Sequence, residues 1–271
     1  MLVCVKDILE LVDGIAPFGL AEKWDNCGLQ AGDPGWLVSR IMVCLDASAH
    51  ALSAAKKQNC DLLLSHHPLM ISPEKSLDFS RMPGLAVAAS AVDRIAIVSA
   101  HTNLDKAENG LNDFFALKLG IDCTDPFVPE DFGATDSSRA GLGRLGTLDR
   151  PMTLKTLGEK IKFDLGMDGL RVIGNLASPV ETVALCTGSG GSLCHQFLAS
   201  PAQVFITGDL KYHEARDIES HGKAAVDVGH FASEHIVTEL LKSRLDALAL
   251  SRGLTLEIFE YKTDEDPFII I

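Results

Sequence analysis

Two short apolar runs flanking one helix-sized stretch constrain this chain most. Residues 40–46 read as a strand around Ile41, Met42, Val43, Cys44 and Leu45, and residues 61–65 as another around Leu62, Leu63 and Leu64. Residues 48–58, between them, have helical composition. A strand–helix–strand unit makes its strands parallel, because the crossover helix carries the chain back to the starting edge. Residues 95–100 supply a third strand after a helix over 84–92. In open parallel sheets ligands collect beyond the carboxyl ends of the strands. The residues at strand exits are therefore the ones to examine.

The rest of the chain continues the alternation. A helix is expected over 3–12, with Val5, Ile8, Leu9 and Val12 at helical spacing, and another over 111–119, stopped by Gly120. Pro126, Pro129, Gly133, Gly141 and Gly143 fall among polar residues, so 125–145 reads as a linker or crossing. Beyond it, strands are expected over 142–148, 170–174, 182–186, 204–207, 224–228 and 254–261. Helices are expected over 153–165, with Thr153 as N-cap, over 212–220, and as one long element over 233–250. The fold class is α/β, two-lobed, with mostly parallel sheets flanked by helices. Residues 1–124 form the first lobe, its sheet open to completion by C-terminal residues. Residues 146–271 form the second, and 224–271 return towards a cleft between the lobes.

Three strand exits carry metal-competent side chains. The strand over 61–65 runs into His66-His67-Pro68, that over 95–100 into His101-Thr102-Asn103-Leu104-Asp105, and that over 224–228 into Gly229-His230-Phe231-Ala232-Ser233-Glu234. His230 and Glu234 stand four apart at a helix start, which puts both on one face. Adjacent His66 and His67 cannot face the same way on a strand, but at an exit followed by proline they can diverge to serve two ions. Asp105 would supply a carboxylate able to bridge. Three imidazoles and two carboxylates suit Zn²⁺, Fe²⁺, Mn²⁺ or Co²⁺, and do not suit Ca²⁺, which takes an oxygen cage. A lone histidine is more often a core or surface residue, and His50, His195, His221 and His235 stay in that class. Convergence of three clusters carries the metal reading.

Other residues leave two readings open. His101 either orients a ligand or shuttles protons. Asp209 and His213 either line the same cleft, with His213 moving a proton, or Asp209 caps the following helix. Ser189, Gly190, Gly191 and Ser192 lie between a strand and a helix; they offer backbone N–H groups to an anion, or they are a tight turn. Trp24-Asp25-Asn26 orders the cleft wall or starts a turn.

Composition removes several classes. A net charge of −13 without a Lys/Arg block repels phosphate backbones, so nucleic acid is not an expected partner. The seven cysteines are odd in number, form no C-x-x-C and mostly sit in apolar runs, as reduced thiols of a cytoplasmic protein do. Lys6, Asp7 and Glu10 interrupt any signal-peptide core, and no apolar run reaches the roughly 18 residues of a membrane span.

The motifs carry a resemblance. Trp24-Asp25-Asn26-Cys27-Gly28-Leu29-Gln30 with Gly32-Asp33-Pro34, Leu64-Ser65-His66-His67-Pro68, and Ala100-His101-Thr102-Asn103-Leu104-Asp105 resemble signatures of the GTP cyclohydrolase 1 type 2 homologue family, the Nif-three-like proteins. So do Thr207-Gly208-Asp209-Leu210-Lys211-Tyr212-His213-Glu214-Ala215, Gly229-His230-Phe231-Ala232-Ser233-Glu234 and Asp266-Pro267-Phe268. The resemblance spans nearly the whole chain in the family's order. It implies a two-lobed α/β fold, a dinuclear metal centre and a homo-oligomeric, hexameric ring. Carried over position by position, the ligands it implies are His66, His67, Asp105, His230 and Glu234. Cys27 departs from the family, which often has an aliphatic residue there. The span from 122 to 144 is too short for the domain some members insert between the halves.

Three functions follow for such a site. The first is a metal-dependent hydrolase acting on a small molecule, with a nucleotide, a cyclic amide or a phosphoester as substrate. The family name suggests opening of the guanine ring of GTP, and Ser189–Ser192 would then cradle the triphosphate. The second is a non-enzymatic metal-binding protein with an insertion or regulatory role. The third, metals that only tie the lobes together, is disfavoured by a mixed His/carboxylate set, because structural zinc favours closed, thiolate-rich sites.

Overall fold

The computed structural model describes residues 2–130 and 139–269. In chain order they form α1 (Val5–Ile15), β1 (Gly28–Ala31), β2 (Arg40–Cys44), α2 (Ala49–Lys57), β3 (Leu62–Ser65), α3 (Gly84–Asp93), β4 (Ala96–Ser99), α4 (Thr102–Lys106) and α5 (Leu111–Lys118). There follow β5 (Ile121–Pro129), β6 (Gly141–Thr153), α6 (Leu154–Asp164), β7 (Arg171–Ile173), β8 (Pro179–Ser189), α7 (Cys194–Ala199), β9 (Val204–Gly208) and α8 (Tyr212–Ser220). The chain ends with β10 (Ala224–Asp227), α9 (His230–Glu234), α10 (Val237–Ser251) and β11 (Glu257–Glu260). Two compact units result, Met1–Leu104 with Val237–Asp264, and Asp105–Ile236 with Glu265–Ile271.

The first unit is built on a sheet of order β1-β4-β3-β2-β11. Its four strands β4, β3, β2 and β11 run parallel, and only the short edge strand β1 is antiparallel. Alternation along the strands sorts the core into two faces. Met42, Cys44, Leu63 and Ile97 pack with Ala51, Leu52 and Ala55 of α2 and Ala86 of α3. The alternate residues Ile41, Val43, Leu62, Leu64 and Val98 are fully buried on the opposite face, and α10 packs against β2 and β11. Helix α1 carries Val5, Ile8, Leu11 and Val12 on one buried stripe, and its Asp7 carboxylate accepts the Cys4 N–H at 2.7 Å. The register sets Cys44, Ser65 and Ser99 abreast, so β2, β3 and β4 end together.

The second unit holds a six-stranded sheet of order β5-β6-β8-β9-β10-β7. Here the pairing is mixed, with parallel strands at the centre and antiparallel ones at the edges. β8, β9 and β10 are parallel, whereas β5–β6, β6–β8 and β10–β7 are antiparallel. Only residues 130–140 lie between β5 and β6, too short a connection for the crossover that a parallel return needs, so the two strands pair antiparallel. Residues 125–129 and 141–145, whose Pro and Gly content suggested a crossing, belong to β5 and β6; Gly133 lies outside the described residues. Pro126 and Pro129 are tolerated because β5 is an edge strand, where a missing N–H breaks no interior ladder. On one face Phe197 of α7 and Ile218 of α8 pack with Ala184, Phe205 and Ala225. Thr153 caps α6 as expected, its hydroxyl accepting the Thr156 N–H at 3.2 Å. The single helix expected over 233–250 is two helices: α9 packs on β8 and β9, and α10 on β2 and β11.

Candidate metal centre

In the first unit the parallel ladder continues one step past the strand ends. His66 N–H donates to Cys44 O at 3.2 Å, His67 N–H to Leu45 O at 3.0 Å and Ala100 N–H to Ser65 O at 3.0 Å. Backbone pairing thus fixes where His66, His67 and His101 leave the sheet. Their rings gather, with centroids 5.1 Å apart for His66–His67, 5.1 Å for His66–His101 and 5.6 Å for His67–His101. One nitrogen from each lies within 4.8 Å of the others.

Each ring is held by its other nitrogen. His66 Nδ1 lies 2.8 Å from Ala100 O, and the whole residue is buried. A carbonyl can only accept, so Nδ1 carries the proton and Nε2 carries the lone pair of the neutral ring. His67 Nδ1 lies 2.9 Å from Asp46 Oδ1, and His101 Nδ1 lies 3.0 Å from Asp25 Oδ1. Carboxylates likewise accept, so the same tautomer is selected three times. Asp25 also accepts from Asn26 N, Thr102 N, the Thr102 hydroxyl and the Cys27 thiol. Burial alone would raise its carboxyl, but hydrogen bonds from His101, Thr102 and Cys27 outweigh that and hold it well below the usual aspartate range. Burial, and then the Asp25 carboxylate, push the Cys27 thiol up to about 12, so it is no thiolate ligand at neutral pH.

In the second unit β10 ends at Asp227, and Gly229, at φ 77°, turns the chain into α9. His230 Nε2 and Glu234 Oε2 are 2.9 Å apart on one face of that helix, as their spacing requires. His230 Nδ1 is 2.9 Å from Asp209 Oδ2. Asp209 follows β9 in a left-handed conformation, φ 57°, and holds His230 rather than capping α8, whose N-cap is Lys211. Glu234 is buried beside Gly188, where a Cβ would stand 2.1 Å from Oε1. Asp105, on α4, offers a carboxylate oxygen within 4.8 Å of one on Glu234. Asn112 fixes it from behind, with Nδ2 donating to Asp105 O at 3.0 Å while Oδ1 accepts Thr187 N at 2.9 Å. Burial first, and then the carboxylates of Asp105 and Glu234, push the Cys186 thiol far above its ordinary value.

The fully buried Arg144 braces this region. It makes a two-pronged pair with Asp113, at 2.7 and 2.6 Å, and donates to the carbonyls of Gly141, Gly143 and Ala107. Ala107 lies two residues beyond Asp105, so the guanidinium ties the chain after α4 to α5 and β6.

The remaining expected site residues lie on other elements. His213 is exposed on α8, edge-on to Tyr212. Ser189 ends β8, and Gly190, Gly191 and Ser192 form a single 3₁₀ turn. The Gly190 N–H is committed to Thr207 Oγ1 at 3.0 Å, and the Glu214 carboxylate crowds Gly191 so closely that a Cβ there would lie 2.6 Å from it. A carboxylate in that place opposes an anion, so the turn reading fits better. Sequence reasoning passed over Asp46, although it stands at the exit of β2 beside the His66-His67 exit. It left the role of Asp25 open.

The chain is similar to known proteins along nearly its whole length. A model of the Duf34/NIF3 (NGG1p interacting factor 3) family matches residues 3–267. A GTP cyclohydrolase 1 type 2 homolog of Clostridium perfringens is 32% identical over 98% of this chain and 99% of its own. One of Streptomyces coelicolor is 31% identical over 97% and 93%. Among solved structures, the Staphylococcus aureus hypothetical protein SA1388 superposes with a TM-score of 0.93 at 26% identity over the full length of both chains. Reduced HcgD from Methanocaldococcus jannaschii does so with a TM-score of 0.79 at 28% identity, over 97% and 99%.

Proposed function

Because the chain belongs to the Duf34/NIF3 family, we propose that it holds two adjacent divalent cations through His66, His67, Asp105, His230 and Glu234, and uses them to hydrolyse a nucleotide or a related cyclic amide or phosphoester. The observation that carries the reading is the repeated orientation of the imidazoles. His66 and His67 each spend Nδ1 on an acceptor, which turns Nε2 into the ligating atom. His230 does the same through Asp209, beside a carboxylate four residues on. This donor set, nitrogen and carboxylate oxygen without thiolate, fits Zn²⁺, Fe²⁺, Mn²⁺ or Co²⁺. Two such ions would supply Lewis acidity.

The chain's own residues then have distinct tasks. Asp46 and Asp209 hold ligand rings in one orientation. Gly188 keeps room for the Glu234 carboxylate, and Asn112 holds the backbone of Asp105. His101, with Nδ1 on Asp25 and Nε2 facing the His66–His67 group, is placed to accept a proton at Nε2 and return it. Guanine-ring opening is the specific reaction suggested by the relatives' name, and a homohexameric ring is the assembly suggested by the family resemblance.

Elemental analysis and a substrate screen test the proposal. The purified chain should carry close to two transition-metal ions, and His66→Ala and Glu234→Ala should lose most of them with far-ultraviolet dichroism unchanged. Turnover of nucleotides or phosphoesters should scale with metal content. Bound metal without turnover across the whole panel would replace the hydrolase by an insertion or regulatory protein, and unchanged metal in either variant would remove the ligand assignment.

A further inference from the structure

Trp24 is a large aromatic that packing does not explain. It is 59% exposed, at a central position of the turn closed by Asp25 N–H to Glu22 O at 2.9 Å. Turns of this kind favour Gly, Asn, Asp or Pro at their central positions, and none of the reasons for that preference applies to tryptophan. Exposing an indole forfeits burial that would stabilise the core. Yet the turn is rigidly mounted. Glu22 N–H donates to Thr102 Oγ1 at 2.9 Å, and Asp25 is bound by His101 and Thr102. Asn26 is tied to Met70 O at 2.7 Å and accepts Gln30 Nε2 through its carbonyl. The indole centroid lies 6.1 Å from that of His101, with the planes at 75°. The two rings meet edge to face and do not stack, and more than half of the indole stays exposed beside His101.

We propose that Trp24 is a stacking platform for a planar heteroaromatic ring, which makes the substrate class of the neighbouring site a nucleobase or a similar heterocycle. The inference deepens the hydrolase reading and rests on it for the chemistry beside the ring. Stacking on an indole is tolerant of ring identity, because every base has a π-face, and it needs a platform that is already ordered. The bonds to Glu22, Asp25 and Asn26 provide that order. An extended aliphatic or a simple phosphoester would gain nothing comparable from the same face.

Fluorescence reads this directly, since Trp24 and Trp36 are the only tryptophans. In a Trp36→Phe chain, GTP, ATP and guanosine should quench Trp24, and ribose 5-phosphate should not. In the full chain Trp24→Ala should weaken GTP binding on the order of tenfold or more by calorimetry, with Trp24→Phe restoring most of it. Metal content should be the same in all three. Quenching that persists in protein shown to lack metal would leave the platform standing and sink the reading of the metal site. Absence of quenching by all three probes, or equal GTP affinity in Trp24→Ala, would overturn the platform. A Trp24 emission that shifts on protein dilution alone would assign the indole to contact with a second copy instead, and would also overturn it.

Discussion

Gly188 and Glu234 compete for one volume: a methyl group on the glycine would stand 2.1 Å from Oε1 of the buried carboxylate. Gly188→Ala should therefore displace a candidate ligand without touching its chemistry. Gly222 is the natural control, with φ +67° against +63° at Gly188 and nothing within 4 Å of its Cβ position. Both alanine variants meet the left-handed backbone penalty, about 1–2 kcal/mol. Only Gly188→Ala adds overpacking, about 1–3 kcal/mol more. Denaturant unfolding should separate the two, and only Gly188→Ala should lose metal. Equal stability and metal content in the two variants would contradict the shared-volume account.

The carboxylates behind the imidazoles should matter to affinity more than to folding. Asp46 and Asp209 are both about half exposed and each faces an Nδ1 at 2.9 Å. Asp46→Asn and Asp209→Asn should each weaken metal binding roughly 10–100-fold while leaving the melting temperature nearly unchanged. Competition with a chromophoric chelator measures this, and wild-type affinity in either variant would mean the rings are oriented by something else.

Asp25 should contribute to acid stability. Its folded-state carboxyl lies below the ordinary value of 3.8, because hydrogen bonds from His101, Thr102 and Cys27 outweigh burial. The stabilisation is complete above that ordinary value and is lost as the pH falls below it, since the unfolded chain takes up the proton first. In chelator-treated protein the wild type should lose melting temperature more steeply below about pH 4 than Asp25→Asn does. Parallel acid limbs for the two would refute the assignment.

Arg144 should be the costliest polar position in the second unit. Replacing it by Met strands the Asp113 carboxylate and three buried carbonyls. Breaking such a pair on one side costs about 3–5 kcal/mol, a drop in melting temperature on the order of 10 °C for a chain of this size. A change within a degree or two would show that the surrounding backbone repartners freely.

The strand exits were legible because apolar runs and their boundaries are local signals. His66, His67, Asp105, His230 and Glu234 could be singled out before any coordinates. Asp46 could not, because its role depends on β2 and β3 lying abreast in register, which is a property of pairing and not of either segment. Asp25 is 76 residues from His101 in the chain, and no periodicity links them. β5 was hidden by prolines that an edge position tolerates, and the break between α9 and α10 by an unbroken helical composition. What weighs against the anion reading of Ser189–Ser192 is Glu214, whose approach to Gly191 is a tertiary contact.

The place of β11 in the first sheet has a consequence for synthesis. β2 pairs with β3 on one side and with β11 on the other, and β11 is Glu257–Glu260. On the ribosome, β2 emerges on the order of 200 residues before its outer neighbour, roughly 10–40 s at usual translation rates. During that interval the nascent sheet has a bare, apolar border, the kind of edge that recruits chaperones or wrong partners. Asp105–Ile236, the bulk of the second unit, is made while that border waits, so the earlier-made sheet closes only after that later stretch has been synthesised.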